Sequence, residues 1–189
     1  MIDINEIANI SGLTNKKVLT FLPGVLQTIR NYTHKPFITS VNISGKIIIE
    51  NGQIQVEEIP LKLIPGSQIE LKGSINNTKI YTIESIDDNI ITTYEDLHDD
   101  TFNGYIIKLN FNIDESIIAS LINFKSSTVK QSGIKSESID GYSYQLNIDS
   151  EHSYQGYPLN LLSSLNHLKQ LPGSELEEYY RQGYIYYDN

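Results

Sequence analysis

The apolar residues of this chain keep one period to about residue 33, take up another from 39 to 112, and return to the first beyond 112. Val18, Leu19, Leu22, Val25, Leu26, Ile29 and Tyr32 recur at three- and four-residue spacing, which places them on one stripe of an α-helix. In the middle stretch apolar residues alternate with polar ones, as at Ile54 and Val56 or Ile69 and Leu71. Neither pattern can sit still as the other, so the chain must combine helices with a β module lying between them in sequence.

A finer pass fixes the elements. Residues 3–9 read as a short amphipathic helix with Ile4, Ile7 and Ala8 on one face, ended by Ser11-Gly12. Thr14 or Asn15 can cap a second helix. Pro23 predicts a kink in it, or two shorter helices, and it ends near Tyr32, before His34-Lys35-Pro36. Between 39 and 112, turn signals at Asn51-Gly52, Pro65-Gly66, Asn76-Asn77, Asp87-Asp88-Asn89 and Asn103-Gly104 separate short strands. Asn51-Gly52 is the best single hairpin turn. Asp114 can cap a third helix, with Ile117, Ile118, Leu121, Ile122 and Phe124 on one face, that runs to about Gln131. Residues 134–148 read as a hairpin turning on Asp140-Gly141. Pro158 fits a first helical position, and Leu161, Leu162, Leu165 and Leu168 continue that helix to Leu171-Pro172-Gly173. The predicted class is α+β: a small helical bundle with a β-hairpin, built from 1–38 and 113–172, and an inserted antiparallel β-barrel or sandwich at 39–112 that protrudes from it. Residues 173–189 form a separate tail.

At 189 residues the chain can bury a core for one domain carrying a smaller insertion. Its net charge of −9 argues against a wrapped nucleic acid, because phosphate binding needs clustered Lys and Arg. The same charge suits a surface that DNA slides past. There is no Cys, so disulfides and thiolate metal sites are excluded. Residues 1–9 lack a basic, then apolar, leader pattern, and no run approaches the length of a membrane span; neither a signal peptide nor a membrane partner is expected.

Catalytic chemistry is hard to place. His34, His98, His152 and His167 never pair at helical spacing. Asp96-Leu97-His98-Asp99-Asp100 is the densest set of potential metal ligands, and its plainer reading is a solvated loop. Glu57-Glu58 and Asp87-Asp88 are adjacent on strands, where neighbours point to opposite faces and cannot converge as an acid/base pair. No nucleophile elbow, Walker loop or dinucleotide fingerprint occurs. No catalytic residue, metal or cofactor is expected, and the chain does not read as an enzyme.

The last residues carry more information. Ser174-Glu175-Leu176-Glu177 fits a capping box, so a short helix is expected there, ended by Gly183. Leu176, Tyr179, Tyr180, Tyr184, Ile185, Tyr186 and Tyr187 make the tail far more apolar than a disordered end normally is. Two readings follow: the tail folds back on its own domain, or it docks into another subunit. Buried Tyr side chains supply useful contact area in either case, and a ring would multiply weak docking over many copies.

One stretch resembles a known family. Gly133-Ile134-Lys135-Ser136-Glu137-Ser138-Ile139-Asp140-Gly141-Tyr142-Ser143-Tyr144 is similar to the hairpin of tailed-bacteriophage head–tail connector adaptor (head completion) proteins. In that family the hairpin follows a long helix and precedes a Leu-rich last helix started by Pro, as 117–131 and 157–168 do here. Tyr32, Thr33, Pro36 and Phe37 also fit the end of the family's N-terminal helix pair. The likeness covers 1–38 and 113–170; the compact adaptors join their second and third helices more briefly, so the β module at 39–112 departs from them.

The resemblance implies a structural virion protein at the neck, assembled in the bacterial host cytoplasm. It implies a homo-oligomeric ring of about twelve copies beneath a portal protein, meeting a stopper or tail-completion protein on the other side. Double-stranded DNA would pass through without specific binding. Leu176, Tyr179, Tyr180, Tyr184, Ile185, Tyr186 and Tyr187 would then dock to the portal, and Ile134, Ser136, Glu137, Ile139, Tyr142 and Tyr144 would pack the hairpin against neighbouring copies. The rival is a nucleic-acid or carbohydrate binding module on the β domain. Its lysines, Lys46, Lys62, Lys72, Lys79 and Lys108, are dispersed among many acids, which weakens it.

Overall fold

The computed structural model describes residues 2–131, 137–139, 142–144 and 153–170. Its class is α+β with antiparallel strands. Helix α1 (Ile4–Ser11) starts where the Asp3 side chain accepts from the Asn5 and Glu6 N–H groups, and stops at Gly12 in the left-handed region (φ 66°). Helix α2 (Asn15–Thr33) is capped by Thr14, whose hydroxyl accepts from the Lys17 N–H.

Of the two alternatives the sequence offered at Pro23, two shorter helices do not occur: α2 runs through the proline as one helix. The face carrying Thr20, Pro23, Gly24 and Gln27 borders an open cleft, so the proline ring is not pressed against a packed neighbour. Val18, Leu22, Val25, Leu26 and Ile29 on the other faces are fully buried and hold the axis. Burial thus outweighs the lost backbone donor.

Six strands follow: β1 (Ile38–Glu50), β2 (Gln53–Gln55), β3 (Gln68–Lys72), β4 (Ile80–Asp87), β5 (Ile90–Thr93) and β6 (Asp100–Leu109). They pair in the order β1-β2-β5-β4-β3-β6, every pair antiparallel, and β6 pairs back onto β1, so the ladder closes into a barrel. Asn51 and Gly52, both at positive φ (54° and 74°), form the two-residue turn between β1 and β2. Asp88 (φ 47°) does similar work between Asp87 and Ile90. Gly45 on β1 pairs with Gly104 on β6, where the end of β3 crosses closely. A Cβ on Gly104 would fall on the Lys72 carbonyl oxygen and lie 2.9 Å from the Phe102 ring, so only glycine fits there.

Ile47, Ile49, Ile54, Ile69, Leu71, Tyr81, Ile83, Ile91 and Ile106 fill the barrel interior. A second cluster joins the helices to one barrel wall, because Ile80, Ile107 and Leu109 point outward from their strands into the helical core. The barrel is therefore built into that core along one side and does not simply protrude. This explains why β3 reads buried at Gln68, Ile69, Glu70 and Leu71 alike: one face lines the barrel and the other lies under the helices.

Helix α3 (Glu115–Gln131) returns the chain to the helices. Asp114 caps it, its carboxylate accepting from the Ser116 N–H at 2.8 Å; hydrogen bonds from the Ser116 hydroxyl and then its N–H hold the Asp114 pKa below the ordinary Asp value. Strands β7 (Glu137–Ile139) and β8 (Tyr142–Tyr144) pair with Ile139 opposite Tyr142, which leaves residues 140 and 141 between them. A further hairpin, β9 (Ser153–Tyr154) with β10 (Tyr157–Pro158), turns on Gln155 and Gly156, both at positive φ. The Leu-rich segment after it is shorter in α-helix than its pattern predicts. Helix α4 (Leu159–Leu162) makes one turn and gives way to a 3₁₀ helix, Ser163–Leu168. Pro158 stands at its N-cap, one residue before the expected first helical position.

Candidate functional site

The described residues come together where the C-terminal elements grip the end of α2. The rings of Tyr32 and Tyr154 meet edge-on at 5.4 Å between centroids. The Tyr32 hydroxyl donates to Asn166 Oδ1 at 2.8 Å, and Lys169 Nζ sits 3.9 Å over the same ring. The Gln170 N–H donates to the Thr33 carbonyl at 2.7 Å. One turn further in, Tyr157 is buried beside Phe124, with ring centroids 5.8 Å apart. Loss of water pushes its phenol pKa up to about 12. The point at which the C-terminal tail leaves the fold is thus pinned to the last turn of α2.

Beyond that point the sequence-predicted docking residues, Leu176, Tyr179, Tyr180, Tyr184, Ile185, Tyr186 and Tyr187, lie outside the described residues. Of the predicted ring-packing hairpin, Glu137, Ile139, Tyr142 and Tyr144 stand on the paired strands β7 and β8, while Ile134 and Ser136 also lie outside.

Helices and barrel are fastened by charge as well as by apolar packing. Arg30 Nη1 on α2 lies 3.0 Å from Glu70 Oε2 on β3, and Lys72 Nζ lies 3.0 Å from Glu70 Oε1. Both Arg30 and Glu70 are largely withdrawn from water (14% and 10% side-chain exposure), so removing one partner strands a desolvated charge and costs more than breaking a surface pair.

Two concavities flank this joint. One, of about 480 Å³, lies between α2 and the start of β4 and includes Thr20, Gln27, Lys79 and Glu95. Glu95 Oε2 accepts from the Thr82 N–H at 2.6 Å, while Oε1 is buried without a hydrogen bond. Burial raises the pKa of this carboxyl above the ordinary Glu range, against the opposing pull of the hydrogen bonds and Lys79. Tyr81, behind it in the barrel, is raised by burial too, and by the nearby Glu95 charge. The second concavity, of about 420 Å³, runs where β1, β6 and the loop before β3 meet. Leu61, Lys62, Ile64 and Lys108 stand along it.

The Asp96–Asp100 loop is held by backbone and hydroxyl contacts. Asp99 Oδ1 accepts from the Asn51 N–H at 3.0 Å, and Asp100 Oδ2 from the Ser74 hydroxyl at 2.6 Å. Asn77, which has no exposed surface, ties this loop to the one before β4. Its amide accepts from the His98 N–H and donates to the His98 carbonyl, both at 2.9 Å. Among the described residues, no three His, Asp or Glu side chains converge as a metal ion requires. No helix among them is long and apolar enough to cross a membrane.

Sequence reasoning missed Asn77, Glu95 and the Arg30–Glu70 pair. Asn77 looked like half of an Asn-Asn turn, and its partner lies 21 residues away. The local hints of the helix–barrel joint are the doubled apolar pairs Ile80-Tyr81 and Ile106-Ile107, which signal strands covered on both faces. No family model matches the sequence, and no curated protein matches it either.

Proposed function

We propose that this chain is a structural subunit of a tailed-phage particle, an adaptor that forms a ring of about twelve copies beneath the portal and links it to the tail. One observation carries the reading. The two stretches that resemble connector adaptors, 1–38 and 113–170, are separated in sequence by the whole barrel and yet share one core. Tyr32 meets Tyr154 and Asn166, Phe37 stacks on Phe111 just before the second stretch begins, and Thr33 accepts from Gln170. The family-like helices are thus one unit, with the barrel set between α2 and α3.

In this reading the β7–β8 hairpin and the outer faces of the helices pack against neighbouring copies, and the aromatic tail docks to the portal. At −9 per subunit the ring is a strongly negative annulus, and DNA passing through it is repelled from the wall. The barrel is free to meet the stopper or tail-completion protein. The chain acts by assembly, without catalysis.

The test is electron microscopy and co-sedimentation of the protein mixed with the portal of the same virion. A ring seated on the portal is expected, and deletion of residues 173–189 is expected to abolish it while leaving the subunit folded. Unchanged co-sedimentation of the truncated chain refutes the docking assignment, and virions whose neck lacks this polypeptide refute the whole reading.

A further inference from the structure

The groove between β1, β6 and the loop before β3 has an unusual rim. Leu61 is 99% exposed and Ile64 43% exposed, and both line this concavity of about 420 Å³. Two exposed aliphatic side chains at one concavity form a small apolar seat that a second apolar segment can cover. The rim is also cationic: Lys62 is exposed, and Lys108 reaches across to the Lys62 carbonyl at 2.7 Å. A fitting occupant is therefore apolar or aromatic and carries negative charge.

The chain itself contains such a segment close by. Residues 171–189, outside the described part, hold Tyr179, Tyr180, Tyr184, Ile185, Tyr186 and Tyr187, and carry Glu175, Glu177, Glu178 and Asp188 against the single cation Arg181. Their starting point is fixed, because Gln170 is bonded to Thr33. From Thr33 the groove begins at Thr39, a separation of at most about 22 Å along the chain. Residues 171–178, when extended, cover about 26 Å, so the tyrosines from 179 onward come within reach of the groove while the preceding glutamates pass Lys62 and Lys108.

We infer that in the free subunit the C-terminal tail of this chain lies in the Leu61–Ile64 groove of its own barrel, its rings on Leu61 and Ile64 and its carboxylates beside Lys62 and Lys108. The aromatic tail is thereby kept out of water until a partner takes it. This holds whether or not the partner is a portal.

The chain has no Trp, so Tyr180→Trp in the full-length protein gives a single reporter. Its emission should be blue-shifted, and acrylamide quenching about threefold weaker than in the urea-unfolded chain, at every concentration from high to low micromolar. Adding Leu61→Asp with Lys62→Glu, both at exposed positions, should restore full quenching without changing the far-UV circular dichroism. A reporter quenched as in the unfolded chain overturns the inference, and so does protection that ignores the two groove changes. Protection that grows with protein concentration also overturns it, since the occupant would then be the tail of a second copy. Portal binding is read separately: a chain that binds portal while its reporter is fully quenched loses this inference and keeps the proposed function.

Discussion

Replacing Asn77 by Ala is expected to cost the fold about 2–4 kcal/mol. In the folded chain the side-chain amide acts like a short strand toward His98, accepting its N–H and donating to its carbonyl, each at 2.9 Å. Its Oδ1 also lies 3.5 Å from the buried Tyr81 hydroxyl, and its Nδ2 3.2 Å from Ser74 Oγ. Alanine leaves the two His98 backbone groups and the Tyr81 hydroxyl without these partners. Each such group costs roughly 1–3 kcal/mol when fully buried; here the loop is partly wet, so the lower half of that range applies. For a chain of this size the loss lowers Tm by about 5–15 °C. Urea unfolding followed by circular dichroism gives the free energy, and hydrogen exchange at the His98 amide locates it. Asn77→Asp supplies an internal control. A neutral carboxyl can still donate to the His98 carbonyl, whereas a carboxylate there is buried and faces that oxygen, so its folded pKa lies above the ordinary Asp value. The stability of that variant is then full at low pH and lost as pH rises through the folded pKa. A cost for Asn77→Ala below about 1 kcal/mol, with His98 exchange unchanged, refutes the reasoning.

Three other outcomes are expected. Gly104→Ala should destabilise by at least about 3 kcal/mol, because backbone at Lys72 cannot yield, whereas Gly12→Ala, with open space around it, should cost only about 1–2 kcal/mol from its positive φ; thermal melts of the two variants decide. Glu95→Gln keeps an acceptor for the Thr82 N–H and removes a desolvated charge. Since burial raises the folded pKa of Glu95, the native chain should lose stability relative to the variant as pH rises from about 4 to about 7, and parallel pH profiles contradict this. Arg30 and Glu70 should show a coupling of about 1–3 kcal/mol in a double-mutant cycle, reduced from a fully buried pair because Lys72 remains beside Glu70; a coupling near zero refutes the electrostatic joint.

Most helices were legible because their signals are local. Thr14 and Asp114 cap where caps are expected, and the stripe from Val18 to Tyr32 marks the buried face of α2. The Asn51-Gly52 turn was equally plain, since two successive positive φ values select those residues. What failed to show was everything decided at long range. Pro23 looks like a break until the packing around α2 is known. The Gln155-Gly156 turn went unseen because its strands have only two residues each. The outward burial of Ile80, Ile107 and Leu109 depends on helices distant in sequence. Of the candidate site, composition revealed the aromatic tail, while the groove at Leu61 and Ile64 could not be read, because an exposed leucine in a loop has no sequence signature.

The closed ladder has a consequence for crowding. Sheets with open edges invite strands from other chains, and copies held side by side would be especially exposed to that error. Here β1 and β6, the first and last strands of the order, pair with each other at nine positions, so neither is left as a free edge strand. Copies held at high local concentration therefore meet barrels whose first and last strands are already paired, which leaves less backbone open to fusion.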